Sequence, residues 1–365
     1  MIQQEISVSS STEEKSSSLK LRMPLFLVRI FNYEYWPFWI LFFPSLFYWL
    51  YNAIRMRSLT YFTAANPGIE LGGFFGESKI NILKKIASEF LPVTLFFEKN
   101  SSAEEVQGAM DQHGLRFPVI CKPDKGEMGF NVCKINDRAE LELYLIDSTD
   151  KLIVQEFITY ETELGVLYFR FPDGSGSGIT SIVEKEFLHI TGDGFSTMEE
   201  LINKSSRARF QLEFLRNKFQ HKIFDVLPSG EKMLLQPIGN HCKGTKFMNG
   251  NKLINEKLVA VFDRIAANMD GFYFGRFDLK VKSIDDLYNG TNIKIMEVNG
   301  VTSEPAHIYD PSMNLLGVYR DVFFNMGLVR KIAKQNQEKG FEPVPATEVL
   351  RIAFTHFKQK ANYGR

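Results

Sequence analysis

Metal-binding cysteine and histidine patterns are missing from this 365-residue chain. Its three cysteines, Cys121, Cys133 and Cys242, are scattered and odd in number, and its six histidines include no pair at metal-binding helical spacing. A zinc fold and a disulfide-held secreted scaffold are thereby excluded, and a reducing compartment fits. Net charge is missing as well. Lys plus Arg and Asp plus Glu balance at 43 each, so no global field favours nucleic acid or an acidic polymer. No internal repeat is present. What remains is the composition of an enzyme body long enough for two or three lobes with real cores.

Chemistry concentrates in short strand-like runs. Ile295-Met296-Glu297-Val298-Asn299 carries two oxygen-bearing side chains at i and i+2, which an extended strand puts on one face. Arg276-Phe277-Asp278 repeats the pattern with a cation and a carboxylate. Converging from neighbouring strands, Asp278, Glu297 and Asn299 would form a hard oxygen site of the kind Mg²⁺ takes with nucleotide phosphates. Two half-buried strands with polar outer faces are the plain alternative. Upstream, Phe117 to Pro123 is a strand ending in Lys122, followed by a turn containing Gly126 and Gly129 and a second strand, Phe130 to Lys134. Such a turn exposes backbone N–H groups, and the lysine adds a point charge for phosphate. No helix and no Gly-Lys-Ser/Thr follows, so this is not a Walker loop. Lys151 to Ile158 is a buried strand turning polar at its end, with Glu163 on the next strand.

These motifs, in this order from about Glu77 to Asp310, resemble the ATP-grasp superfamily, and within it the D-alanine–D-alanine ligase and cyanophycin synthetase type of carboxylate–amine ligase. The resemblance implies an α+β fold in which two lobes grip ATP. It implies that Lys79 and Lys122 hold phosphates, that the glycine loop closes over them, and that the hinge Gln155, Glu156, Phe157 and Ile158 holds adenine. Glu163 would take the ribose hydroxyls, Lys185 would reach the phosphates from the larger lobe, and Arg276 would steady the transferred phosphoryl group. Asp278, Glu297 and Asn299 would ligate one or two Mg²⁺ ions, with Mn²⁺ as a substitute. Two departures stand out: Met128 replaces a frequent serine, and Gln155 replaces a frequent glutamate, so a charged acceptor near adenine is lost. Thr191 to Ile202 is similar to a turn and helix start in cyanophycin synthetases. Ser196 with Glu199 satisfies a capping box there.

The amino-terminal part differs in character. Residues 1–23 form a tail whose first twenty residues are rich in Ser, Glu and Lys, a composition that predicts disorder. Residues 24–57 form an aromatic segment. From Tyr35 to Tyr51 there is no charge, ten of the seventeen residues are aromatic, and all three tryptophans (Trp36, Trp39 and Trp49) fall inside. Tryptophan and tyrosine prefer the membrane–water boundary. The segment lacks the features of a cleaved signal. The charge-free stretch from Tyr35 to Ile54 only just reaches the ~20 residues a span needs, and Pro37 and Pro44 would disturb a helix. Basic residues on both sides, Lys20, Arg22 and Arg29 before it and Arg57 after it, favour an in-plane or re-entrant wedge at the inner face of the cell membrane over a span. The alternative is that the aromatics cover an apolar face of the enzyme or a homodimer partner.

Residues 58–116 are a reduced region ahead of an ATP-grasp domain at 117–320, and 321–365 form a helical tail. Within the reduced region, residues 66–76 hold four glycines in the nine from Gly68 to Gly76, suited to an anion-binding nest or a substrate-contacting loop and equally to a flexible connection. Helical periodicity and caps predict helices at Arg138–Ile146 and Glu256–Met269, a long basic helix at 206–225 bearing Arg207, Arg209 and Arg216, and a basic amphipathic helix at 346–358. A turn with His241, Lys243, Thr245 and Lys246 suits an anionic substrate group, with an ordinary surface turn as the alternative. After Asn299, the resemblance makes the next loop the acceptor pocket, with Glu304 and His307 to orient or deprotonate an amine and Tyr309 to close it; hydrogen bonds that merely shape the loop are the alternative. The expected function is an ATP-dependent carboxylate–amine ligase working through an acyl phosphate in the cytoplasm, with small-molecule or lipid-linked substrates. A kinase on the same fold and a non-catalytic nucleotide-binding membrane adaptor are the rivals.

Overall fold

The computed structural model describes residues 24–126, 129, 131–148, 150–237, 239 and 244–363, with side chains as far as 355. Two compact units emerge. The larger comprises Pro44–Glu184, Asn249–Ile308 and Met313–Arg365; the smaller comprises 24–43, Lys185–Met248 and Tyr309–Ser312.

Two antiparallel sheets build the larger unit. The first has the order β1 (Thr94–Phe97), β4 (Leu152–Glu156), β2 (Val119–Pro123), β3 (Cys133–Ile135). Val119, Cys121, Leu152 and Val154 form its core with Val106 and Met110 of the Ala103–Gln112 helix and Leu141 of the Arg138–Ile146 helix. Both helices start where the chain supplies an acceptor, Ser102 for the Glu105 N–H and Asp137 for the Glu140 N–H. Cys121 and Cys133 sit opposite each other on β2 and β3; the first is buried as a small hydrophobe would be, the second is exposed.

In the second sheet, β11 (Ile293–Asn299), β10 (Phe274–Val281), β5 (Thr162–Arg170) and β6 (Ser177–Glu186) follow one another, all antiparallel. Strand alternation splits its two faces. Phe277, Leu279, Val281, Leu164 and Val166 pack on Leu258, Phe262 and Ile265 of the Glu256–Ala266 helix, which Asn255 caps. On the opposite face, Leu167 and Phe274 lie in a second core with Val329 and Ile332 of the Leu315–Glu338 helix and with Tyr61, Ala64 and Ala65. The same face, further along β10, carries Arg276, Asp278 and Lys280.

The aromatic segment is broken into short pieces: helices Leu25–Phe31, Phe38–Leu41 and Phe43–Met56 with a tight turn at Tyr33–Tyr35. Pro37 stands at the start of one helix and Pro44 in the first turn of the next, where a missing N–H costs nothing. No helix of the described residues is long and apolar enough to cross a membrane. The last helix belongs to the larger unit from Pro44 onward; Ala53, Trp49 and Met56 join the core under β5 and β10, and the Tyr48 ring lies 5.0 Å from Phe323. Part of the segment therefore covers an apolar face of the larger unit itself.

Glycine-rich residues 66–76 are packed and are not a slack connection. Asn66 is buried and accepts the N–H groups of Tyr273 and Phe274 while its amide donates to the carbonyls of Gly72 and Phe274. A Cβ at Gly73 would come within 2.6 Å of the Gly300 Cα, so the loop packs backbone to backbone behind the end of β11.

Within the smaller unit, β7 (His189–Thr191) pairs with β8 (Lys232–Leu234), and a further strand, β9 (Lys246–Asn249), runs out of it into the larger unit. Thr197 and Glu200 form the capping box of the Met198–Lys204 helix, one residue later than expected, because Ser196 donates instead to Asp193. The long helix expected at 206–225 is a tight turn at Ala208–Gln211 and a helix at Leu212–Lys218. Beyond it the chain turns back so that the carbonyls of Ile223 and Asp225 accept the N–H groups of Glu199 and Met198, which a continued helix would forbid. Arg207 forms a buried ion pair with Glu34, and Arg216 pairs with Glu199. The expected turn residues His241 and Lys243 lie outside the described residues.

Asn66→Ala would take the side-chain partner from the Tyr273 and Phe274 N–H groups and the Phe274 carbonyl, while the Gly72 carbonyl keeps the Val301 N–H, at roughly 1–3 kcal/mol for each group left unpaired that water cannot reach. We expect it to lower the unfolding free energy by about 2–4 kcal/mol, read from the midpoint of urea unfolding followed by tryptophan fluorescence.

Candidate active site

Register decides the site. Across the β10–β11 pair Asp278 faces Glu297 and Arg276 faces Asn299, so all four polar side chains share one face. Asp278 Oδ2 accepts from the Asn299 amide at 3.1 Å and from Arg276 Nε at 3.2 Å, and Glu304 Oε1 lies 3.7 Å from the same guanidinium. Burial works against the charge on Arg276, but Asp278, Glu304 and Glu297 together hold its pKa above the ordinary value. Room for the cluster comes from β5. Gly165 pairs with Asp278, and a Cβ there would stand 3.2 Å from Arg276 Cδ, 3.3 Å from Asp278 Oδ1 and 2.8 Å from Val183 Cγ1.

A bulge interrupts the pairing between Asp278 and Leu279, leaving Met296 as the extra residue of β11. Its carbonyl, released from the regular ladder, accepts from Lys122 Nζ at 2.7 Å. Lys122 also donates to Gln155 Oε1 at 3.1 Å, and Gln155 is itself held by Thr94. Lys122 thus crosses from the first sheet to the second, and burial pushes its pKa down to about 8, with Glu297 opposing the fall and Lys79 adding to it.

Lys79 opens the Lys79–Leu83 helix, capped by Ser78, and lies 3.7 Å from Glu297 while donating to the Gly126 carbonyl of the glycine loop. Asp124, buried at the end of β2, accepts from the Ser78 hydroxyl and the Ile80 N–H, both at 2.8 Å. Gly129 lies in the left-handed region, φ 71°, as a tight glycine turn requires.

At the hinge, the Glu156 side chain takes the Val93 N–H and its own N–H binds the Val93 carbonyl. Phe157 is flanked by the ammonium groups of Lys134 at 4.4 Å and Lys280 at 5.9 Å. Lys280 donates to the Ile158 carbonyl and faces Glu163, which is buried on β5.

Lys79, Lys122, Gln155, Arg276, Asp278, Glu297, Asn299 and Glu304 are therefore brought together. His307 is not. It is 1% exposed, with Nδ1 on Ser181 Oγ at 2.8 Å and Nε2 on Asp321 at 3.0 Å, so both ring nitrogens are used inside the protein. Lys185 and Tyr309 belong to the smaller unit, where Tyr309 packs edge-on to Phe247. Gly165, Asp124 and Lys280 went unread in the sequence. Lys280 could have been found by extending the alternation from Arg276 and Asp278 by two residues, and Ser78 by its cap position before Lys79.

Among the described residues no three acidic, histidine or cysteine side chains are grouped to hold a metal. Two carboxylates facing each other across the strand pair, one of them holding the Asn299 amide N–H, nevertheless offer the oxygen ligands a hard cation takes when water and phosphate oxygens complete its shell.

Residues 61–169 match the model of the RimK-like ATP-grasp domain. No curated protein sequence matches the chain. Solved structures with weak similarity include a D-alanine–D-alanine ligase from Bacillus anthracis (11% identity, TM-score 0.40, covering 72% of this chain and 68% of that one). The VanG D-Ala:D-Ser ligase from Enterococcus faecalis shows 16% identity and a TM-score of 0.39 over 72% of this chain and 60% of that one. A bifunctional glutathione synthetase from Pasteurella multocida shows 16% identity and a TM-score of 0.37 over 67% and 35%. The chain thus spans about a third of the synthetase and three fifths of the VanG ligase. The family match thus covers residues 61–169, which hold the first sheet and the β5 strand of the second, and over that stretch the chain is similar to a RimK-like ATP-grasp domain.

Proposed function

We propose that the protein joins a carboxylate to an amine at the expense of ATP, through an acyl phosphate. The observation that carries this is the one-face cluster of Arg276, Asp278, Glu297 and Asn299 standing against Lys79 and Lys122. Phosphoryl transfer asks a protein mainly for positioning and charge stabilisation. Lys79 and Lys122 offer cations for the phosphates, and their present partners, Glu297 and the Met296 carbonyl, are what nucleotide oxygens would displace. Asp278, Glu297 and Asn299 are the residues that would hold Mg²⁺, which when bound neutralises charge on the phosphates. The backbone at residues 154–158 is assigned to adenine and Glu163 to the ribose.

In the first step the substrate carboxylate attacks the γ-phosphorus, the bond to the β-phosphate oxygen breaks, and ADP leaves. Arg276, kept charged by its three carboxylate neighbours, balances the charge that builds on the transferring group. In the second step the amine attacks the acyl carbon, phosphate departs, and the amine proton passes to a base. Glu304, against Arg276, is assigned to the amine; His307 is assigned to holding the loop that presents Glu304. Lys185 is assigned to the phosphates on the family resemblance. Keeping the acyl phosphate from water gives the glycine loop a reason to close. The charge-free aromatic run at residues 35–54 supports placing the reaction at the cytosolic face of a membrane, on small-molecule or lipid-linked substrates.

ADP release should require both an acid and an amine, and hydroxylamine should divert the reaction to a hydroxamate. Glu297→Gln and Arg276→Ala should each lower ADP release at least ~100-fold, the usual scale for losing one electrostatic contact to a transition state. Full turnover in either variant, or turnover without any hydroxamate, would remove this assignment.

Lys122 gives a proton signature. Its pKa of about 8 leaves it partly neutral at pH 8.5, and a phosphate in place of the Met296 carbonyl would raise that value. Nucleotide binding should therefore take up protons at pH 8.5 and almost none at pH 7. Calorimetry in buffers of different ionisation enthalpy measures this, and Lys122→Met should abolish the uptake.

A further inference from the structure

The Phe43–Met56 helix is apolar on both faces. Its inward face carries Trp49, Ala53 and Met56 in the core, together with Ser45 and Asn52, both buried, the latter 0% exposed. Its outward face carries Leu46, Phe47, Leu50, Tyr51 and Ile54, with Leu46 46% and Ile54 76% exposed. At 100° per residue these five fall within one arc of about 140°, which contains no polar side chain apart from the tyrosine hydroxyl. Soluble helices turn a polar face to water, and a wholly apolar outer stripe marks contact with something else.

Charge identifies the contact. From Tyr35 to Ile69 the sequence contains no carboxylate, and its only charges are Arg55 and Arg57, at the carboxyl end of this helix and both exposed. Arg55 lies over the Tyr51 ring at 5.7 Å and donates to its hydroxyl at 2.8 Å, so a cation and an amphipathic ring stand together at the edge of the stripe. A tyrosine–arginine edge beside an apolar stripe is the pattern of an interfacial helix, with the rings at headgroup depth and the cations on anionic headgroups. The helix is about 21 Å long at 1.5 Å per residue and anchored to the enzyme on its inner face, which suits lying in the plane of one leaflet.

We propose that the outward face of the Phe43–Met56 helix docks the protein on an anionic lipid surface, in one leaflet and without spanning it. The inference rests on the membrane part of the functional reading and not on its chemistry. The full chain should float with vesicles of 70:30 phosphatidylcholine and phosphatidylglycerol, and more weakly with phosphatidylcholine alone. Leu46→Glu with Ile54→Glu, both outward-facing, should weaken flotation at least tenfold while leaving the melting temperature within a few degrees. Arg55→Gln with Arg57→Gln should erase the preference for phosphatidylglycerol and keep the residual apolar binding. Absence of wild-type flotation, or undiminished flotation of the Leu46/Ile54 variant, would overturn the proposal. So would a wild-type dimer that the same variant converts to a monomer in sedimentation equilibrium, because a second copy would then cover the face. ADP release from these variants separates this failure from that of the ligase assignment, since none of the four residues touches the cleft.

Discussion

The pairing of β10 with β11 is the constraint on which the site depends. Side chains alternate along a strand, so a slip of one residue would turn Glu297 and Asn299 into the Phe262 core and expose Val298. The packing of Phe277, Leu279 and Val298 against the Glu256–Ala266 helix forbids that slip. Hydrophobic burial on one face thus sets the position of every charge on the other. The bulge at Met296 belongs to the same constraint: it changes the pairing after the carboxylates are placed, and it releases the carbonyl that Lys122 reaches.

Much of this could be read from the residues. Alternation in Arg276-Phe277-Asp278 and Glu297-Val298-Asn299 correctly foretold which side chains share a face, because a period of two is a local property. The helices at 138–146 and 256–266 were likewise announced by Asp137 and Asn255. The bulge was not legible, since nothing in Ile295-Met296-Glu297 distinguishes an extra residue from a paired one. Gly165 was not legible either. Its role is the space it leaves for Arg276 and Asp278, more than a hundred residues away, and only the assembled sheet creates that demand. For His307 the sequence left a catalytic role and a loop-shaping role open, and it could not show that Ser181 and Asp321, distant in sequence, take both its nitrogens.

The aromatic segment teaches a similar lesson about averages. Composition over residues 35–54 announced an apolar surface but could not say which side of the helix it occupied. Once Trp49, Ala53 and Met56 are placed in the core under β5 and β10, the remainder is sorted by geometry. The residues left outside are then as apolar as those within, an ordering that composition cannot show and that water alone does not favour.

The clasp at Asp124 has a mechanical consequence. One carboxylate at the root of the glycine loop grips both the Ser78 hydroxyl and the Ile80 N–H, and the Lys79 ammonium grips the loop's Gly126 carbonyl. Lys79 and the root of the loop are therefore tied to one another as well as to the end of β2. A displacement of either would carry the other, so under the proposed reaction the cation and the loop would meet the phosphates together and leave them together.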